Sequence, residues 1–295
     1  MPAVVPALVP AEPVRIIGWD AAVDPRNTAL TLVTWSGAGS RPEPALEVEA
    51  LGVAALEVAG LEVLAQAAPR DHEELIATVS DWMHGDTPTL LCVDSPLGWP
   101  KRMAEALAVH VAGAGIDLSA DELFRRVTDI DVRRRVGKTP LDVGADRIAR
   151  TALATLNAIA ALQERVGRIG RTIDTPTILE DPRRDPEKVL LLESYPAGWF
   201  ASERIATGGY RPREATDRRR VLLDQVEQRL RSGGVELTYG AQVDRERFTR
   251  RADDLDALIC TLNGVDYLLG RCPAPAVDQQ EIARREGWIW CKDRS

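Results

Sequence analysis

The first strongly apolar segment of the chain, Arg15-Ile16-Ile17-Gly18-Trp19-Asp20-Ala21-Ala22-Val23, reads as a β-strand with a carboxylate inside it. Burying a lone carboxylate costs several kcal/mol unless it is paired, hydrogen-bonded or bound to a cation. A strand built around Asp20 therefore needs partners from elsewhere in the chain. Three later segments put an acid at the end of a strand or the start of a helix: Val93-Asp94-Ser95-Pro96, Leu192-Glu193-Ser194-Tyr195-Pro196 and Asp253-Asp254-Leu255-Asp256-Ala257. The expectation is that these acids converge on a divalent metal site.

The intervening pattern predicts the frame that would bring them together. Asp24-Pro25-Arg26-Asn27 is turn chemistry, and the β-branched run over 28–35 closes a hairpin with the first strand. A Gly/Pro/Ser loop over 36–44 follows, then strand-like alternation at 46–51 and 61–64, with 54–58 open between strand and helix. Residues 71–84 form an amphipathic helix with Leu75, Ile76 and Val79 inward, capped by Asp71 with Glu74 three residues on. Thr89-Leu90-Leu91-Cys92-Val93-Asp94 and Lys188-Val189-Leu190-Leu191-Leu192-Glu193 are continuous apolar runs ending in an acid, the pattern of central strands covered on both faces. Helices are expected at 151–166, 215–231 (stopped by Gly233-Gly234) and 253–269, and a short closing strand at 287–290. The fold class is α/β: an antiparallel meander followed by parallel strands, flanked by helices. One domain is expected over 14–295, with a helical and basic insertion around 101–185, after a disordered leader over 1–13.

A net charge of -8 excludes coating nucleic acid by bulk charge, so any such contact must be local. The positive charge is nearly all arginine, suited to bidentate phosphate contacts, with lysine only at 101, 138, 188 and 292. Cys92, Cys260, Cys272 and Cys291 show no C-x-x-C spacing and sit mostly in apolar segments, which points away from zinc or disulfides and toward a reducing cytoplasm. No apolar run of about 18 residues exists for a membrane span.

Within 253–269, Asp253 and Asp256 share a helix face with Ala257, Cys260 and Gly264, a small-residue stripe that lets a helix approach a sheet closely. Leu255, Leu258, Ile259 and Leu262 point the other way, so burial on both sides is expected. Acids in a first helical turn also serve as caps, at about 0.3 to 1 kcal/mol. Four acidic segments at the ends of one core, with no histidine near them, fit hard oxygen ligation of Mg²⁺ or Mn²⁺ better than zinc. His72, His84 and His110 lie outside these segments, so a Ser-His-Asp triad on Ser95 or Ser194 is excluded as the leading chemistry.

Gly18-Trp19-Asp20-Ala21-Ala22, Val93-Asp94-Ser95-Pro96-Leu97-Gly98-Trp99-Pro100, Arg126-Val127-Thr128-Asp129, Glu193-Ser194-Tyr195-Pro196-Ala197 and Asp253-Asp254-Leu255-Asp256-Ala257-Leu258 resemble the ordered motif set of the DUF429 family, described as predicted nucleases with a ribonuclease H-like fold. The last helix is also similar to that of bacterial Holliday-junction resolvases, whose metal acids lie on the first strand, the fourth strand and the last helix. Carried over by position, the resemblance implies Asp20, Asp94, Asp253 and Asp256 as metal ligands and Glu193 as a fifth acid. It implies a metal-dependent nuclease with two Mg²⁺ or Mn²⁺ ions roughly 3.5 to 4 Å apart. Charge and position add Arg126, Arg133 and Lys138 as phosphate contacts, within a basic segment over 125–138 expected to be mobile without nucleic acid. The alternatives are a ribonuclease H-like binding module without turnover, and ATP-dependent phosphotransfer on the actin-like fold. The second normally needs two such domains and Gly-rich loops, and this sequence shows neither. Oligomeric state is not legible in the sequence.

Overall fold

The structure, a computed structural model, describes residues 12–37, 59–144 and 146–294. The expected strand at 46–51, the undecided stretch 54–58 and nearly all of the leader lie outside these residues.

The hairpin forms as the turn chemistry requires. β1 (Val14–Asp20) and β2 (Ala29–Trp35) pair antiparallel around a single 3-10 turn, in which the Asp24 carboxylate accepts from the Arg26 amide. β3 (Ala59–Ala67) completes the meander against β2. α1 (His72–Trp82) follows, with the Asp71 side chain accepting from the Glu74 amide, and leads into β4 (Thr89–Asp94). Four helices come before the sheet resumes: α2 (Lys101–Ala108), α3 (Ala120–Phe124), α4 (Val127–Val136) and α5 (Asp146–Gly167). Then come β5 (Thr172–Asp174), β6 (Lys188–Glu193), α6 (Pro196–Ser202), α7 (Thr216–Ser232), β7 (Val235–Tyr239), α8 (Arg247–Arg250), α9 (Ala252–Leu268) and α10 (Gln280–Glu286).

The seven strands form one sheet in the order β5-β6-β4-β1-β2-β3-β7. β4 runs parallel to β1 and β6 parallel to β4, so a meander continues into parallel strands, a mixed sheet consistent with a ribonuclease H-like fold. Short edge strands β5 and β7 were not expected from the sequence, and the expected closing strand at 287–290 is a single parallel bridge between Glu193 and Ile289. No helix among the described residues is long and apolar enough to cross a membrane.

Strand periodicity divides the core in two. Ile16, Leu90, Cys92, Leu190 and Leu192 pack under α6, α7 and α9, whereas Ile17, Trp19, Leu91, Val93, Val189 and Leu191 pack under α1 and α5. Helix α9 is buried along its whole length except at Asp253. Its small-residue face lies on β1, β4 and β2, and a Cβ added at Gly18 would overlap the Ala257 carbonyl and the Thr261 methyl. Gly264 is also close-packed: a Cβ there would come within 2.7 Å of the Ile16 side chain and 2.9 Å of the Cys92 sulfur.

Most of the basic segment is helical. α4 starts where Asp129 accepts from the Arg126 amide, ends at Gly137 in the left-handed region, and buries Val132 and Val136 against Ile289 and Cys291. The segment, whose charge hides any apolar pattern in the sequence, thus has an apolar stripe of its own.

Because the obstacle at Gly18 is helix backbone, Gly18→Ala cannot be accommodated by a side-chain rotation. Urea melts should show a loss at or beyond the upper end of the about 1 to 3 kcal/mol typical of overpacking; a loss below about 0.5 kcal/mol would mean α9 is free to move off the sheet.

Candidate functional site

The parallel register of β1 and β4 sets Asp20 directly beside Asp94, on the sheet face covered by α9. Both sit at carboxyl ends of central strands, where an open α/β sheet leaves a crevice. Asp256, one turn into α9, is fully buried and faces the same region. The three acids repel one another, and the site supplies few donors. Among the described residues, neither the Asp20 nor the Asp94 carboxylate accepts a hydrogen bond. Asp256 accepts from Tyr210 Oη at 2.8 and 3.0 Å and pairs with Arg211 at 3.0 Å.

Electrostatics follow from this geometry. Burial, then the neighbouring Asp256, Asp94 and Asp253, lift the Asp20 carboxyl well above the usual range. Burial and Asp256 push Asp94 up to about 7, against the pull of Arg211. Burial pushes Asp256 up to about 6, with Arg211 and the Tyr210 hydrogen bond holding it back. Desolvation and like charge are the two causes that make a carboxyl hold its proton.

The remaining acids divide. Asp253, half exposed, pairs with Arg251 at 3.0 Å. Glu193 is paired with Val93, not Asp94, and the pleat therefore turns it to the other face of the sheet. There it meets Arg126, which is 1% exposed and saturated: its guanidinium donates to Glu193 at 2.6 and 2.8 Å, to Asp129 at 2.8 and 3.2 Å, and to the Glu286 carbonyl at 3.0 Å. Burial raises the Glu193 carboxyl and Arg126 opposes it. Arg126 is thus the internal counter-ion of Glu193 and Asp129, and it also lines the cavity described below. Arg133 pairs with Asp121 at 3.5 Å, while Arg126 and Lys138 both line the cavity.

That cavity, about 510 Å³, is lined by Asp20, Asp94, Arg126, Lys138, Glu193 and Arg211 on its charged side and by Pro140, Leu141, Ile148 and Tyr195 on its apolar side. The unpaired oxygens of Asp20 and Asp94 fit a hard divalent cation in donor chemistry. In spacing, no group of three His, Cys, Asp or Glu side chains among the described residues stands together as a ligand set, and the cation nearest Asp256 is Arg211. Arg211 and Tyr210 were missed in the sequence; the signal was a Gly208-Gly209 turn followed by an aromatic, an arginine and a proline.

The family model described as "Protein of unknown function (DUF429)" matches residues 23–280. No curated protein and no solved structure matches the chain.

Two outcomes test this account. A carboxyl raised to about 7 favours the folded state only while protonated, so its contribution to stability is lost as pH climbs from about 4 to 7. In EDTA, Asp94→Asn should melt with wild type near pH 3.5 and above it at pH 8; a lower melting temperature at pH 8 would make Asp94 a structural partner. Arg126→Ala should cost about 3 to 5 kcal/mol by leaving Glu193 and Asp129 buried without a counter-charge, and urea melts that barely move would return Arg126 to the substrate contacts.

Proposed function

Because the chain belongs to the DUF429 family, whose description assigns no activity, its function has to be read from its own site, and we propose a metal-dependent phosphodiesterase acting on nucleic acid. One observation carries the reading. Asp20 and Asp94 stand side by side at the ends of parallel strands, without hydrogen-bond donors, with buried Asp256 near enough to raise both. Acids that only held the fold together would have partners, as Glu193, Asp129 and Asp254 do.

Asp20, Asp94 and Asp256 would hold Mg²⁺ or Mn²⁺, with Asp253 at the outer edge. Bound there, the metal supplies an activated water and charge stabilisation at the leaving oxygen. The chain's own groups do the rest. Lys138 and Arg211 present positive charge to a phosphate in the cavity, and Leu141, Ile148 and Tyr195 form an apolar wall that suits a base or sugar. Nothing in this arrangement reads a base sequence, so backbone geometry is expected to select the substrate.

The test is a panel of single-stranded, duplex, hybrid and branched nucleic acids with Mn²⁺. Wild type should cleave at least one, EDTA should stop it, and Asp94→Asn should lower the rate by at least about a hundredfold, the scale expected when a metal's charge stabilisation is lost. Cleavage persisting in EDTA would exclude the mechanism, and tight binding with no cleavage would favour the module without turnover.

A further inference from the structure

Both partners of Asp256, Tyr210 and Arg211, come from one loop, the connection between α6 and α7. Its backbone is fixed by an unusual cation. Arg219 of α7 is fully buried and donates only to carbonyls: Tyr210 at 2.6 Å, Pro212 at 2.8 Å and Arg213 at 2.9 Å, then Thr249 at 2.6 Å and Arg250 at 3.0 Å. Three of these five acceptors flank Arg211, so its main chain is held from both sides. The Arg211 side chain is the opposite case. It is 61% exposed, lines the cavity, and makes one ion pair with Asp256 plus a stacking contact over the Tyr210 ring at 5.5 Å. Arg126, by contrast, has every donor engaged and almost no exposure.

A fixed anchor with a loosely held, exposed cation is the arrangement of a group that changes partners. We infer that Arg211 is the resident counter-ion of Asp20, Asp94 and Asp256, that a divalent cation displaces it from Asp256, and that the freed guanidinium then contacts the substrate's phosphate. This rests on the metal-dependent reading above. Arginine suits the second role because its planar fork binds phosphate oxygens in pairs. Arg219 is the positioning residue: it contacts no acid and acts only through the loop.

The experiment uses the full chain and calorimetric titration of metal-free protein with Mn²⁺ for wild type, Arg211→Ala, Arg211→Lys and Asp94→Asn. Removing a competing cation should tighten Mn²⁺ binding about tenfold in Arg211→Ala, whereas Arg211→Lys, which keeps the charge, should stay within about threefold of wild type. In a second arm, inorganic phosphate is titrated into Mg²⁺-saturated protein, and Arg211→Ala should bind it about tenfold more weakly. If Arg211→Ala binds Mn²⁺ no more tightly than wild type while Asp94→Asn loses binding, the exchange is wrong and the metal reading survives. Equal gains in Arg211→Ala and Arg211→Lys would mean loosened packing, which also overturns the exchange. Unchanged phosphate affinity in Arg211→Ala overturns the phosphate contact. If neither wild type nor Arg211→Ala binds millimolar Mn²⁺, the metal reading falls and takes this inference with it.

Discussion

The contact of Gly18 with the Ala257 carbonyl sets how far α9 stands from β1, and every property of the acidic site depends on that distance. With no side chain at Gly18 the helix backbone rests on the strand backbone, Gly264 two turns after Ala257 makes room for the Ile16 and Cys92 side chains, and the Cys260 thiol lies 3.8 Å from the Trp19 carbonyl. The approach strips water from Asp256 and brings it up to the paired strand ends of Asp20 and Asp94. Close packing and carboxylate repulsion are therefore one design. The helix N-terminus gives partial compensation, since its dipole favours negative charge in the first turn. Asp254 on the neighbouring face has its own cations, Arg247 at 3.0 Å and Arg251 at 3.8 Å, which keeps it out of the site.

The arginines show how the fold handles buried charge. Arg126 is neutralised by two acids. Arg219 and Arg171 have no acid at all and are held by ordered carbonyls, in the case of Arg171 those of Met83, Gly85, Thr87 and Pro186. A planar fork with five donors can satisfy that many carbonyls at once, which an ammonium group cannot. Against Arg126 and Arg219, whose donors are all engaged, Arg211 stands out by its exposure and its few contacts.

The sheet was legible because its strands announce themselves by alternation, apolar runs and terminal acids, and the small-residue stripe of α9 foretold its close approach. Glu193 was grouped with the other acids because its strand looks like β4, and it lines the same cavity as Asp20 and Asp94. Only the pairing register, offset by one residue, turns it to the opposite face, and register is written in the packing and not in the strand itself. The apolar stripe within residues 125–138 was hidden for a related reason. Charge density masked Val127, Val132 and Val136, and a sequence shows how many arginines it has but not that Arg126 is interior. Edge strand β7, Val-Glu-Leu-Thr-Tyr after a Gly-Gly stop, carried an alternating signal that was open to reading. Arg211 carried almost none, because its meaning lies in a loop brought to Asp256 by Arg219.

On the proposed reading, charge also sets the order of events at the site. The chain carries a net charge of -8, and the cavity floor adds unpaired carboxylates, so a phosphodiester approaching the metal-free protein meets repulsion both at long range and at contact. Lys138 and Arg211 offset only part of it. With Asp94 held at about 7 and Asp256 at about 6, the metal-free site retains a share of a proton near neutral pH, a second way of reducing the same excess of charge. A cation entering between these carboxylates must release that proton as well as Arg211, so its apparent affinity rises with pH until the acids are fully ionised. Neutralisation therefore has to precede, or accompany, the arrival of the phosphate, and the acids that make the empty site inhospitable to nucleic acid are the ones that admit it once a cation is bound.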